Sequence, residues 1–155
     1  MKVLIVDPAF VYEDEAIAQL EREDYYVISA RDAFEGWGVL KGGIIKFDLL
    51  LLSDQIASGA RADCDGWDFG FYQAATVDRI NPALVIVDLI NRVLCPEYWP
   101  TIVLRSNDQM LGFMAWSLLP EVSIMPHSDG RVRISTIIRN LASQLAAAKA
   151  ISMAI

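Results

Sequence analysis

Basic residues are scarce in this chain: 13 Lys and Arg stand against 20 Asp and Glu, for a formal net charge of −7. Binding along a nucleic-acid backbone needs clustered cations that displace counterions, so the balance argues against nucleic acid as a partner. Cysteine occurs twice, at Cys64 and Cys95. These have neither metal-ligand spacing nor the density of a secreted disulfide scaffold, and reduced thiols are the simplest reading. Histidine occurs once, at His127, and with no partner recognisable in sequence it reads as a surface residue, not a general base. No apolar run approaches the roughly 18 to 20 uncharged residues that cross a bilayer, and the first residues form a strand pattern where a targeting signal would be basic. The expected location is therefore the cytoplasm, with no membrane partner. Where a nucleotide-binding domain would carry a glycine-rich loop, Asp7-Pro8-Ala9-Phe10 stands, and no Ser/His/Asp or Cys/His set is recognisable; an enzyme on this chain has little support.

What the chain does have is apolar residues, 54% of 155, enough for one compact domain with a substantial core. Continuous apolar runs at residues 3–6, 26–30, 49–52, 84–87, 102–104 and 122–125 look like strands buried on both faces of a parallel sheet. Helical patterns lie between them. Ala16, Ile17 and Leu20 recur at helical spacing within residues 13–23, with acids in the first turn. Arg31-Asp32 opens a second helix that Gly42-Gly43 ends. In the last helix Ile134, Ile137, Ile138, Leu141 and Leu145 form one stripe, with Arg133, Arg139, Asn140 and Gln144 opposite. Strand–helix alternation of this kind predicts an α/β fold with a right-handed, doubly wound parallel sheet, and ligands in such sheets bind beyond the strands' carboxyl ends, near Asp7, Ser53, Asp54, Arg105 and Ser106.

Residues 55–99 are ambiguous. Residues 55–65 read as a loop and 67–80 as a helix. Asn81-Pro82 fits either a loop into a strand at 84–87 or an N-cap with proline at the first helical position; the β-branched cluster favours the strand. The alanine-rich residues 145–155 are expected to fray. Asp63-Cys64-Asp65-Gly66-Trp67-Asp68 alternates carboxylates near a glycine, but its spacing is not that of a calcium-binding loop, and a solvated acidic turn is the better reading.

Taken together, Val3-Leu4-Ile5-Val6-Asp7-Pro8, Asp48-Leu49-Leu50-Leu51-Leu52-Ser53, Thr101-Ile102-Val103-Leu104-Arg105-Ser106 and Ser123-Ile124-Met125-Pro126 resemble the response-regulator receiver domain of two-component signalling. The resemblance implies a flavodoxin-like three-layer α/β/α domain over residues 1–148, with an insertion at about 55–99 between the third strand and Thr101, and a helix end or tail at 149–155. The family ends its first strand with paired acids that help hold Mg²⁺; here Asp7 is followed by Pro8. The family's phosphoacceptor aspartate corresponds to Ser53, with Asp54 one residue on. Its phosphoryl-contacting hydroxyl corresponds to Arg105, then Ser106. Its lysine before a proline corresponds to Met125 before Pro126, and its aromatic switch residue to Val122.

Phosphoryl transfer to such a site needs a carboxylate nucleophile, a divalent ion and cationic compensation. Several of these positions depart together, so the resemblance implies a degenerate pocket at Asp7, Pro8, Ser53, Asp54, Arg105, Ser106 and Met125, with no catalytic residue and no metal ligand. Arg105 is expected to fill the charge vacancy by pairing with Asp7 or Asp54, the alternative being an anionic ligand. The function implied is a stand-alone pseudo-receiver, not an enzyme, that acts on a protein partner or as a homodimer and uses no cofactor. The alternative is a working phosphoacceptor that holds Mg²⁺ with Asp7 and either Asp54 or Asp88. Met110, Leu111, Phe113, Met114, Trp116, Leu118 and Leu119 make a helix apolar nearly all round, which is expected to be buried beneath the insertion or else exposed for contact, burial being favoured. If it is exposed, the interaction surface comprises Met110, Phe113, Met114, Trp116, Ile137 and Leu141.

Overall fold

Four consecutive leucines form the centre of the sheet, and all of Leu49–Ser53 is buried from both sides. The computed structural model describes residues 1–8, 14–59, 73, 78–127 and 134–154. Its elements are β1 (Lys2–Val6), α1 (Asp14–Arg22), β2 (Tyr26–Ala30), α2 (Ala33–Lys41), β3 (Leu49–Ser53), α3 (Pro82–Val93), β4 (Thr101–Arg105), α4 (Gln109–Leu118), β5 (Ser123–Met125) and α5 (Ile134–Ala154), with a short 3-10 turn at Pro96–Tyr98. The strands are all parallel, in the order β2-β1-β3-β4-β5. This is the doubly wound sheet that the apolar runs imply.

Alternation along each strand divides the core into two clusters. Leu4, Val6, Leu50, Leu52, Ile102 and Leu104 face α2, α3 and α4. Val3, Ile5, Leu49, Leu51 and Val103 face α1 and α5. On the first side α2 approaches β1 so closely that a Cβ added to Gly36 would stand 2.8 Å from Val6 Cγ2, a contact only glycine permits.

Three expectations are overturned. Residues 84–87 are not a strand but the buried face of α3. Asn81 Oδ1 accepts from the Ala83 amide at 2.9 Å, Pro82 occupies the first turn, and Leu84, Val85, Ile86 and Val87 are buried in the first core cluster. Capping and burial here override the strand preference of β-branched residues. Second, the alanine-rich end continues the helix: α5 runs through Ala154, as alanine's propensity favours. Its 21 residues span about 31 Å, well beyond the length of the strands it packs on. Third, α4 is not buried all round. Leu111, Gly112 and Ala115 face the core, while Met110 (67% exposed), Phe113 (59%), Met114 (47%) and Trp116 (43%) face outward.

The calcium-like turn at 63–68, Cys64 and nearly all of the helix expected at 67–80 lie outside the described residues, and Asp78 to Ile80 are not helical. No helix among the described residues is long and apolar enough to cross a membrane.

Candidate functional site

The polar residues singled out in sequence do gather at the carboxyl ends of the strands, but in two separate clusters. Strand alternation sorts them. Asp7, Ser53 and Arg105 continue the rows of Val3 and Ile5, Leu49 and Leu51, and Val103, on the α1 and α5 side. Asp54 and Ser106 continue the rows of Leu50 and Leu52 and of Ile102 and Leu104, on the α3 and α4 side.

In the first cluster Arg105 Nη1 lies 2.5 Å from Asp7 Oδ2, with both side chains at least nine-tenths buried. Ser53 is paired with Arg105 in the β3–β4 register and is fully buried, its Oγ accepting from the Gln55 amide at 3.1 Å. Met125 is the register partner of Arg105 on β5 and packs against the inner cluster with Ile137. Pro8 follows Asp7 at the rim, half-buried. The Arg105 guanidinium thus directly faces the Asp7 carboxylate. Among the described residues the buried Arg105 Nε has no hydrogen-bond partner, and the guanidinium meets Asp7 through Nη1.

The second cluster centres on Asp54. Its Oδ2 accepts from Ser106 Oγ at 2.7 Å and its Oδ1 lies 2.7 Å from His127 Nε2. Ser106 Oγ accepts in turn from the Asp108 amide, and Asp108 caps α4 by accepting from the Met110 and Leu111 amides. The His127 amide donates to Asn107 Oδ1 at 2.8 Å, and Asn81, the cap of α3, donates its Nδ2 to the Asp54 carbonyl at 3.1 Å. The Asp54 carboxylate therefore ties the end of β3 to the ends of β4 and β5, while its main-chain carbonyl holds the first turn of α3 and Ser106 Oγ relays the link to α4.

His127 is the residue that sequence reasoning missed. It is not a free surface side chain but a half-buried partner of Asp54; its position two residues past β5, at the rim where Asp54 also lies, was the available signal.

This Asp, His and Ser grouping is not a nucleophilic triad. The serine hydroxyl donates to the carboxylate, and the imidazole also meets the carboxylate, so no base is aimed at Ser106 Oγ. Nor do the acids converge on an ion: among the described residues no three His, Cys, Asp or Glu side chains are grouped to hold a metal. Asp88, the other acid considered for such a site, lies within α3 and pairs with Arg92 at 2.7 Å. That version of the Mg²⁺ reading rested on a strand that does not exist.

The expected contact surface also divides. Met110, Phe113, Met114 and Trp116 are exposed along α4, with the Phe113 and Trp116 rings edge-to-face at 5.6 Å. Ile137 and Leu141 do not join them: Ile137 is buried against the sheet and Leu141 packs on the same cluster, because the apolar stripe of α5 faces inward.

No protein-family model matches this chain, and no curated protein matches its sequence. Among solved structures it is similar to a CheY-like response regulator receiver domain protein from Methanospirillum hungatei, at 15% identity and TM-score 0.59, covering 94% of this chain and 93% of that one. A two-component response regulator from Clostridium difficile is similar at 18% identity and TM-score 0.53, covering 94% and 96%. A response regulator from Burkholderia pseudomallei, whose structure contains a phosphorylated aspartic acid, a calcium ion and citrate, is similar at 13% identity and TM-score 0.57, covering 97% and 72%. At these identities the likeness is one of fold, and the fold of this chain is that of the response-regulator receiver domain.

Proposed function

We propose that this chain is a receiver-fold signalling module, a binding protein and not an enzyme, that works by protein–protein contact in the cytoplasm without an aspartyl phosphate or a bound metal. The buried Arg105–Asp7 pair beside Ser53 carries this reading. In the positions where the family resemblance would have a metal-binding acid, an acceptor carboxylate and a phosphoryl-contacting hydroxyl, this chain has an acid already neutralised, a buried serine and the guanidinium that neutralises it. Serine without an activating base is a poor phosphoryl acceptor. The remaining acid of that region, Asp54, has both oxygens engaged on the opposite side of the sheet.

Contact would run through the outward row of α4, which presents Met110, Phe113, Met114 and Trp116 to a protein partner or to a second copy of the chain. Large apolar side chains grouped in this way are the usual mark of an interaction surface.

The competing reading makes Asp54 a working acceptor. Addition of Mg²⁺ and a beryllium fluoride salt, followed by tryptophan emission, distinguishes the two. No saturable change is expected. A saturable change that disappears in Asp54→Asn would replace this reading with the competing one.

A further inference from the structure

At the end of the sheet opposite both polar clusters, α5 continues past the strands and stands away from the base of the domain. The gap between them is a cleft of about 660 Å³, within the roughly 300–1,000 Å³ typical of small-molecule sites. Its apolar lining comes from Phe47, Trp99, Leu145 and Ala148. The Trp99 ring is held in place, since its Nε1 donates to the Leu94 carbonyl at 3.0 Å. Leu145 packs at the edge of the inner core cluster, and Ala148, one turn further along α5, lines the cleft beside it.

Two lysines also line this cleft, in a chain that is otherwise strongly acidic. Lys46 enters from the segment before β3 and Lys149 from the projecting part of α5, and neither has a carboxylate partner among the described residues. The one acid in the lining, Asp48, is engaged: its Oδ2 accepts from the Lys2 amide at 2.8 Å. An aromatic and aliphatic cavity with unpaired lysines at its margin suits a ligand with an apolar body and an anionic head.

We propose that this cleft binds a small amphiphilic organic anion, a carboxylate on an aliphatic or aromatic body, with its acid group between Lys46 and Lys149 and its body against Trp99 and α5. Binding joins the projecting end of α5 to the base of the sheet. This site is independent of the signalling reading, because it lies at the other end of the strands from Asp7 and Asp54.

The test is titration of the full chain with octanoate and, separately, with octanol, each below its micellar or solubility limit, read by tryptophan emission and by thermal unfolding. Octanoate is expected to change the emission saturably and to raise Tm, as any ligand of the native state does, with octanol markedly weaker. In a Lys46→Gln/Lys149→Gln double variant octanoate affinity falls about tenfold while octanol is unaffected. Both lysines are exposed, so the variant keeps its fold. Trp99→Phe removes the emission change and leaves the shift in Tm. No saturable response to octanoate, equal responses to octanoate and octanol, or an octanoate affinity unchanged by the double substitution would overturn the proposal.

Discussion

A guanidinium and a carboxylate buried together are tolerated because each neutralises the other, and neither is tolerated alone. Arg105→Met, which leaves Asp7 buried against an apolar chain, is therefore expected to cost about 3–5 kcal/mol in urea unfolding. The double variant Asp7→Leu/Arg105→Met should recover most of that loss, since an apolar pair of similar volume often replaces an ion pair with little net change. A double variant as unstable as the single one would mean that Arg105 contributes by packing and not by charge. Part of this pair was legible beforehand: an acidic rim calls for a cation, although Asp7 and Asp54 both stayed open as the partner of Arg105. Asp54 was legible only in half. Alternation assigns it to the side away from Asp7, but its partner His127 lies 73 residues further on, and its place just past β5 is the single hint that the chain offers. A hydrogen bond between two loops depends on where the sheet brings those loops, and side-chain periodicity carries no information about that.

At the level of elements, α3 illustrates how local signals compete. Its sequence contains a β-branched run that suits a strand and a capping pair, Asn81-Pro82, that suits a helix; the helix prevails because its inner face fills the space above β3 and β4. Asn81 also has a second task, since its Nδ2 donates to the Asp54 carbonyl. Asn81→Ala is accordingly expected to destabilise the protein by about 1–2 kcal/mol, the upper part of the range for losing a cap. Asn81→Asp should recover the cap but not the bond to Asp54. Amide exchange in the first turn of α3 distinguishes them: Asn81→Ala speeds exchange there strongly, Asn81→Asp much less. Equal exchange in all three proteins would remove the capping argument. The other helices followed their patterns more simply, with Asp32 and Asp108 capping α2 and α4 as short acceptors at an N-cap do. For α4 the sequence favoured burial over exposure and was misled, because an apolar helix has the same composition in either state.

For the whole molecule, the charge of −7 and the apolar row on α4 oppose each other when two copies meet. Repulsion between like-charged copies is screened over about 10 Å at 0.1 M salt, whereas apolar contact is not. If α4 is the contact surface between copies, self-association measured by sedimentation should increase from low to moderate salt and be lost in Phe113→Ser. Association that weakens with salt, or that survives Phe113→Ser, would assign it to another surface. The sequence by itself determined the parallel sheet, the sides on which most core residues fall, and which polar residues end the strands, because periodicity and residue chemistry are properties of neighbours along the chain. Only the tertiary structure decided that residues 82–93 form a helix, that Arg105 takes Asp7 while Asp54 takes Ser106 and His127, that α4 faces outward while Ile137 and Leu141 face inward, and that α5 outruns the sheet to leave a cleft. Those outcomes depend on which distant segments share the same space, and that is settled by packing the whole chain at once.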